Sequence, residues 1–160
     1  MLKRISITNY ALIEQLDINW DSHLNVITGE TGAGKSIVID ALTLILGQRA
    51  NKQNIRQGAD RMSVQGVFSF DQNSAVHEHL AEMAIATPDD ELILTRSISR
   101  SGHNVCRVNG YAVTVAQLKT LGRDLVDIHS QHENNSLFQS EAQRRLLADQ
   151  IGRASCRERV

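Results

Sequence analysis

The chain has 160 residues, of which 41% are hydrophobic and 22% charged, enough for one globular domain with a sizeable core. Its 17 Lys and Arg nearly balance 18 Asp and Glu, and the net charge of -1 excludes a global basic field, though not a local Lys/Arg stripe. Two cysteines, Cys106 and Cys156, are too few for a disulfide framework or a zinc site and are expected as incidental thiols in a reducing compartment.

Leu2 to Thr8 alternates apolar and polar residues, as a half-buried strand does, and carries charges where a signal peptide needs an apolar run. Asn9-Tyr10 supplies a turn, and Ile13 to Trp20 alternates again with one slip. Leu24, Val26 and Ile27 predict a short strand that ends before Gly29. Ser36 to Leu46 is apolar on nearly every side, which predicts a helix buried all round, and Gly47 sits where a left-handed cap is wanted. The run Ile37 to Leu46 is interrupted by Asp40 and Thr43 and is too short to span a bilayer. A cytoplasmic protein with no membrane segment is expected.

Gln48 to Asp60 reads as a polar loop, and Met62 to Phe70 returns to alternation. Ser74 to Ala84 places Val76, Leu80 and Met83 on one helical face behind an Asn73 cap, and Thr87-Pro88-Asp89-Asp90 is a turn. Glu91 to Ser99 is a further strand. Val105 to Val108 and Tyr111 to Val115 flank Asn109-Gly110, a strong hairpin signal. Thr114-Val115-Ala116-Gln117 fits a capping box opening a helix that Gly122 closes, and Ser140-Glu141-Ala142-Gln143 fits a second. Between them, Leu125 to Ile128 predicts a short strand running into the polar stretch His129 to Asn135. The sum is an α/β domain with a mixed sheet and an antiparallel β insertion.

Gly29-Glu30-Thr31-Gly32-Ala33-Gly34-Lys35-Ser36 fills the phosphate-loop pattern GxxxxGK[ST], between a predicted strand and a predicted helix. Gly29, Gly32 and Gly34 reach backbone angles closed to other residues, so successive amides of this loop, including those of Glu30, Thr31 and Ala33, can turn toward phosphate oxygens. The helix that starts here adds the positive end of its dipole. Lys35 brings a full charge to the β- and γ-phosphates, and the Ser36 hydroxyl is placed to ligate Mg²⁺. ATP with Mg²⁺ is the expected ligand.

Further stretches carry a family resemblance. Leu2-Lys3-Arg4-Ile5-Ser6-Ile7-Thr8-Asn9-Tyr10-Ala11-Leu12-Ile13, the run Asn25 to Ser36, Arg107-Val108-Asn109-Gly110, and Leu125-Val126-Asp127-Ile128-His129-Ser130-Gln131-His132-Glu133 together resemble SMC-like ATPase heads, and within them the RecN family of DNA-repair ATPases. The resemblance runs from Met1 to about Asp149. It implies a P-loop, ABC/SMC-type head acting in double-strand break repair and recombination, with residues 1–150 as the N-terminal head part. It also implies that Gln131 contacts Mg²⁺ and the attacking water, that two heads dimerise around ATP, and that the partners include DNA and the chain's own C-terminal head half. A nucleoid-associated location follows from the same resemblance. No Ser-Gly-Gly signature, and no apolar strand ending in Asp-Glu, follows Gln131 in the sequence, so the resemblance implies nucleotide binding with little turnover until that second half is supplied. Residues 151–160 depart from the pattern, being charged, aperiodic and broken by Gly152, and are expected to be a non-native or disordered tail.

Blander features bound these expectations. Arg96, Arg100 and Arg107 lie on neighbouring predicted strands and form either a DNA-facing stripe or a solvated sheet face, which only their sharing a side decides. Tyr10 is placed near the nucleotide end, with adenine stacking as one use. Arg56 and Arg61 fall in a region resembling a loop near the nucleotide, and solvated loop arginines are the other reading. His129 and His132 flank Gln131 without the further ligands that zinc needs. The same loop chemistry serves a nucleotide or small-molecule kinase, another SMC/ABC-type ATPase, a GTPase, or a scaffold that keeps a relic loop. The kinase lacks an Arg-rich lid in Gln48 to Asp60, and Asn51-Lys52-Gln53-Asn54 lacks the final Asp of a guanine-recognition motif.

Overall fold

The computed structural model describes residues 1–29, 34–70, 74–87 and 91–128. The chain divides into Met1–Val126 and Asp127–Val160, and only Asp127 and Ile128 of the second unit are described. The boundary expected at residue 150, the second capping box and Gln131 lie outside the described residues.

The first unit is built on a six-stranded sheet. In chain order its strands are β1 (Leu2–Tyr10), β2 (Ile13–Asn19), β3 (Arg61–Ser69), β4 (Glu91–Ser99), β5 (Asn104–Val108) and β6 (Tyr111–Val113), and in space they run β2-β1-β3-β4-β5-β6. Every pairing is antiparallel, from Arg4 opposite Asn19 at one side to Cys106 opposite Val113 at the other. The period-2 pattern explains the layering. One face carries Ile5, Ile7, Met62, Val64, Phe68, Leu92, Leu94 and Ile98, all buried, while Ser63, Gln65, Thr95 and Ser97 occupy the other. Each such burial is worth about 2 kcal/mol of transfer free energy.

Three helices accompany the sheet: α1 (Lys35–Ile45), α2 (Ala75–Glu82) and α3 (Val115–Leu125). Helix α1 packs on β1, β3 and β4 through Val38, Ala41, Leu44 and Ile45. The fit is close, since a Cβ on Gly66 of β3 would come within 2.5 Å of the Ile45 side chain. Helices α2 and α3 contact each other and bury Val76 and Leu80, and Leu118 and Leu121, respectively. The loop 48–60, with a 3-10 turn at Lys52–Asn54, is tied to the β1–β2 turn by Ala11 N–H to Asn54 O (2.6 Å) and Arg56 N–H to Asn9 O (2.9 Å).

Local chemistry behaves as expected at the hairpin and at the α3 cap. Asn109 and Gly110 both take positive φ, 47° and 86°, which joins β5 to β6 in a two-residue turn. Thr114 and Gln117 form the reciprocal capping box.

Several expectations are corrected. Helix α1 is buried on one face only, and Ile39 is 41% exposed, because a single sheet face covers it. Segments 24–28 and 126–128 are not strands. A strand is a pairing rather than a property of a segment, and no described residue pairs with either one, leaving Leu24 87% and Val26 72% exposed. The parallel part of a mixed sheet is therefore absent among the described residues. The α2 cap position is Ser74, one residue after Asn73. Gly122 does not close α3, which continues to Leu125. A Cβ there would meet the Leu46 carbonyl oxygen at 2.6 Å, so this glycine serves a close approach between α3 and the end of α1.

Candidate nucleotide-binding site

The unpaired segment 24–28 leads into the phosphate-loop pattern, and α1 begins within it at Lys35. Of the expected ligand-binding residues, Gly29, Gly34, Lys35 and Ser36 are described, whereas Glu30, Thr31, Gly32, Ala33 and Gln131 lie outside the described residues. The N-cap of α1 is Gly34 with φ 96° and ψ -7°, a left-handed conformation that suits glycine, and a Cβ there would meet nothing within 4 Å. The first helical bond runs from Val38 N–H to Gly34 O at 3.2 Å, so the amides before Val38 precede any partner inside the helix. No side chain caps this end and no acidic residue stands in its first turn. The Lys35 ammonium donates to the Gly29 carbonyl oxygen, while Ser36 is exposed. A helix N-terminus carries about half a positive charge. With Lys35 added and no acidic residue in the first turn of the helix, the arrangement suits a multiply charged oxyanion, and the neighbouring hydroxyl suits a hard cation held by that anion. The donor set fits a nucleoside triphosphate with Mg²⁺.

At the other end of α1, Gly47 N–H bonds to Leu44 O at 3.2 Å in a left-handed cap with φ 91°. The Leu44 and Gln48 carbonyls also receive the guanidinium of Arg96 from β4, whose Nη1 donates to them at 2.8 and 2.6 Å. Arg96 Nε donates to Asn104 Oδ1 at 3.1 Å. The side chain is only 2% exposed, so the stripe drawn through Arg96, Arg100 and Arg107 does not form. Arg96 stands opposite Cys106 in register while Arg107 stands opposite Thr95, which puts them on opposite sheet faces. Arg100 instead donates to Ala59 O (2.6 Å) and Arg56 O (3.1 Å) and pins the loop 48–60. Burial holds the Arg96 guanidinium below its usual pKa and raises that of the neighbouring Cys106 thiol. The role of Arg96 was missed in the sequence, although its inward position between Leu94 and Ile98 was a signal.

Tyr10 is not available for adenine stacking. It is 3% exposed, its hydroxyl accepts from Asn54 Nδ2 at 2.8 Å, and burial raises its pKa. Arg56 pairs with Glu14 at 3.1 Å, and Arg61 is exposed at the start of β3.

Residues 4–153 match the family model of the AAA domain. The chain belongs to the AAA domain family. This AAA domain is 44% identical to the DNA repair protein RecN of Bacillus subtilis over 147 residues, which are 92% of the chain and 26% of that protein. It is 40% identical to RecN of Vibrio cholerae over 154 residues, 96% of the chain and 28% of that protein. It thus spans about a quarter of the length of the curated relatives it matches. In structure it is similar to a chain from a study of ATP-driven dimerization and DNA stimulated activation of SMC ATPases. The TM-score there is 0.64 at 20% identity, covering 94% of this chain and 98% of that one. RecF bound to ATP gives 0.62 at 19% identity, covering 92% and 36%, and the SMC head domain from Thermotoga maritima gives 0.55 at 22%, covering 74% and 41%. At such low identities these likenesses establish fold alone: the AAA domain has the fold of SMC and RecF heads. No helix among the described residues is long and apolar enough to cross a membrane.

Proposed function

We propose that this AAA domain binds ATP and Mg²⁺ as the N-terminal part of an SMC-like ATPase head acting in DNA double-strand break repair and recombination. The observation that carries the reading is the start of α1, which has no side-chain cap and no acidic residue in its first turn, where Gly34, Lys35 and Ser36 follow one another. ATP supplies the phosphoanhydride that an ATPase breaks. Gly29 to Ser36 provide main-chain donors for its phosphates, and Lys35 exchanges its carbonyl partner at Gly29 for the β- and γ-phosphate oxygens. The Ser36 hydroxyl and Gln131 are the Mg²⁺ ligands in this reading, and Gln131 also positions water. A second head half completes the site and two heads close around ATP, so the chain by itself binds nucleotide with negligible turnover. The RecN relatives support the repair role, and a cytoplasmic, nucleoid-associated location follows from that role.

The test is an equilibrium titration with labelled ATP, competed by GTP and by AMP. Preference for ATP with no competition from AMP is expected, and AMP binding as tight as ATP would overturn the reading in favour of a kinase. Substituting Gln131→Ala is expected to leave ATP affinity within a few-fold and to shift the Mg²⁺ dependence.

A further inference from the structure

The C-terminal end of α1 opens on a cleft of about 610 Å³. One wall is the segment Gly47 to Ala50 with Arg49, the other is the first turns of α3 with Val115 and Lys119, and the floor holds Arg96 and Asn104. Among the described residues three cations line this cleft and no carboxylate does. Arg49 and Lys119 are exposed, and neither has an acidic partner among the described residues. Arg96 is almost wholly buried, yet its donors are only partly used. Nε and Nη1 take Asn104, Leu44 and Gln48, and Nη2 has no partner among the described residues. The walls approach closely at their base, since a Cβ on Gly47 would lie 2.6 Å from the Lys119 backbone, as one on Gly122 would from the Leu46 carbonyl. The start of α3 adds its positive dipole end from the same side.

We propose that this cleft is a phosphodiester site: Arg49 and Lys119 clamp the backbone of duplex DNA, and the free Nη2 of Arg96 faces the phosphate between them. The proposal rests on the reading that the chain works on DNA, and it names a contact surface separate from the nucleotide site. Helix α1 separates the two by 11 residues, about 16 Å. The cleft is open to solvent and its cations stand on separate walls, which fits a phosphate track along an extended strand better than a compact anion that needs enclosure. Because Arg96 also holds the Leu44 carbonyl in the last turn of α1, a phosphate here would rest on the same helix whose other end meets the nucleotide.

Fluorescence anisotropy with a labelled duplex oligonucleotide, repeated over a series of salt concentrations on the full 160-residue chain, tests the assignment. Arg49→Gln with Lys119→Gln is expected to weaken binding on the order of ten-fold at low salt and to reduce the log-log salt slope by about 2, as for two lost phosphate contacts. Arg107→Gln, which removes one charge from the opposite sheet face, is expected to change affinity little. Unchanged DNA affinity in the double variant would overturn the proposal. Equal weakening by Arg107→Gln would overturn it too, as would displacement of the DNA by micromolar pyrophosphate, which would mark a small-anion site. ATP affinity measured on the same variants is expected to stay at the wild-type value, so failure of the DNA clamp is distinguishable from failure of the nucleotide reading.

Discussion

At its C-terminal end α1 is closed by protein: Gly47 caps it, Gly122 of α3 presses against Leu46, and the Arg96 guanidinium takes the Leu44 and Gln48 carbonyls. At its N-terminal end the same helix has a left-handed glycine, no side-chain cap, no acidic residue, and a lysine lying back on the Gly29 carbonyl. Both ends leave about four backbone groups without helical partners. One end spends protein cation on its dipole, while the other keeps its amides for something from outside. A domain needs the first arrangement to be stable. On the proposed reading a ligand completes the second, and the unsatisfied end marks the nucleotide site.

Substitutions at the two ends should therefore separate. The largest effect is expected from Lys35→Ala, which removes a full charge from the phosphates. ATP affinity should fall about 1,000-fold, roughly 4 kcal/mol, with the thermal midpoint unchanged, as measured by titration and calorimetry. Next is Arg96→Ala, which strips a charged donor from the buried Leu44 carbonyl and the part-buried Gln48 carbonyl. Stability to urea should fall by about 3 kcal/mol while ATP affinity per folded molecule stays the same. A Lys35→Ala chain that melts early, or an Arg96→Ala chain that loses ATP binding while folded, would erase the distinction.

Gly122→Ala is a milder probe of the closed end. Its new methyl must push aside the Leu46 backbone, and about 2 kcal/mol of destabilisation in urea unfolding is expected. The smallest effect lies away from α1, at Asp17 on the edge strand. The Ser6 hydroxyl and the Arg4 guanidinium hold its carboxyl below the usual range. A depressed folded pKa contributes stability that is present above the unfolded value near about 4 and is lost as pH falls through the folded one. Asp17→Asn should flatten that acid limb of the stability curve slightly and leave neutral pH nearly unchanged.

The sequence was most legible where chemistry is local. Asn109-Gly110 names its turn, Thr114 with Gln117 names its cap, and alternation over Met62 to Phe70 or Glu91 to Ser99 names a strand with one buried face. The phosphate-loop pattern marked the start of α1 for the same reason. It was least legible where the partner is distant in sequence. Leu24, Val26 and Ile27 have the composition of a strand, yet pairing requires a neighbour that composition does not supply. Gly122 looks like a helix end until Leu46 is seen against it. Arg96 looked like a surface charge because nothing near it in sequence shows that the Leu44 and Gln48 carbonyls lie within reach. Its place in the alternation Leu92, Leu94, Arg96, Ile98 was the one hint that it points inward.

The most direct test follows backbone amides by nitrogen-15 NMR while Mg-ATP is added. The account predicts large, saturable shifts at Gly34, Lys35 and Ser36, with Leu44, Gly47 and the Arg96 side-chain Nε–H close to still. Shifts concentrated at Leu44, Gly47 and Arg96, with the start of α1 silent, would contradict it.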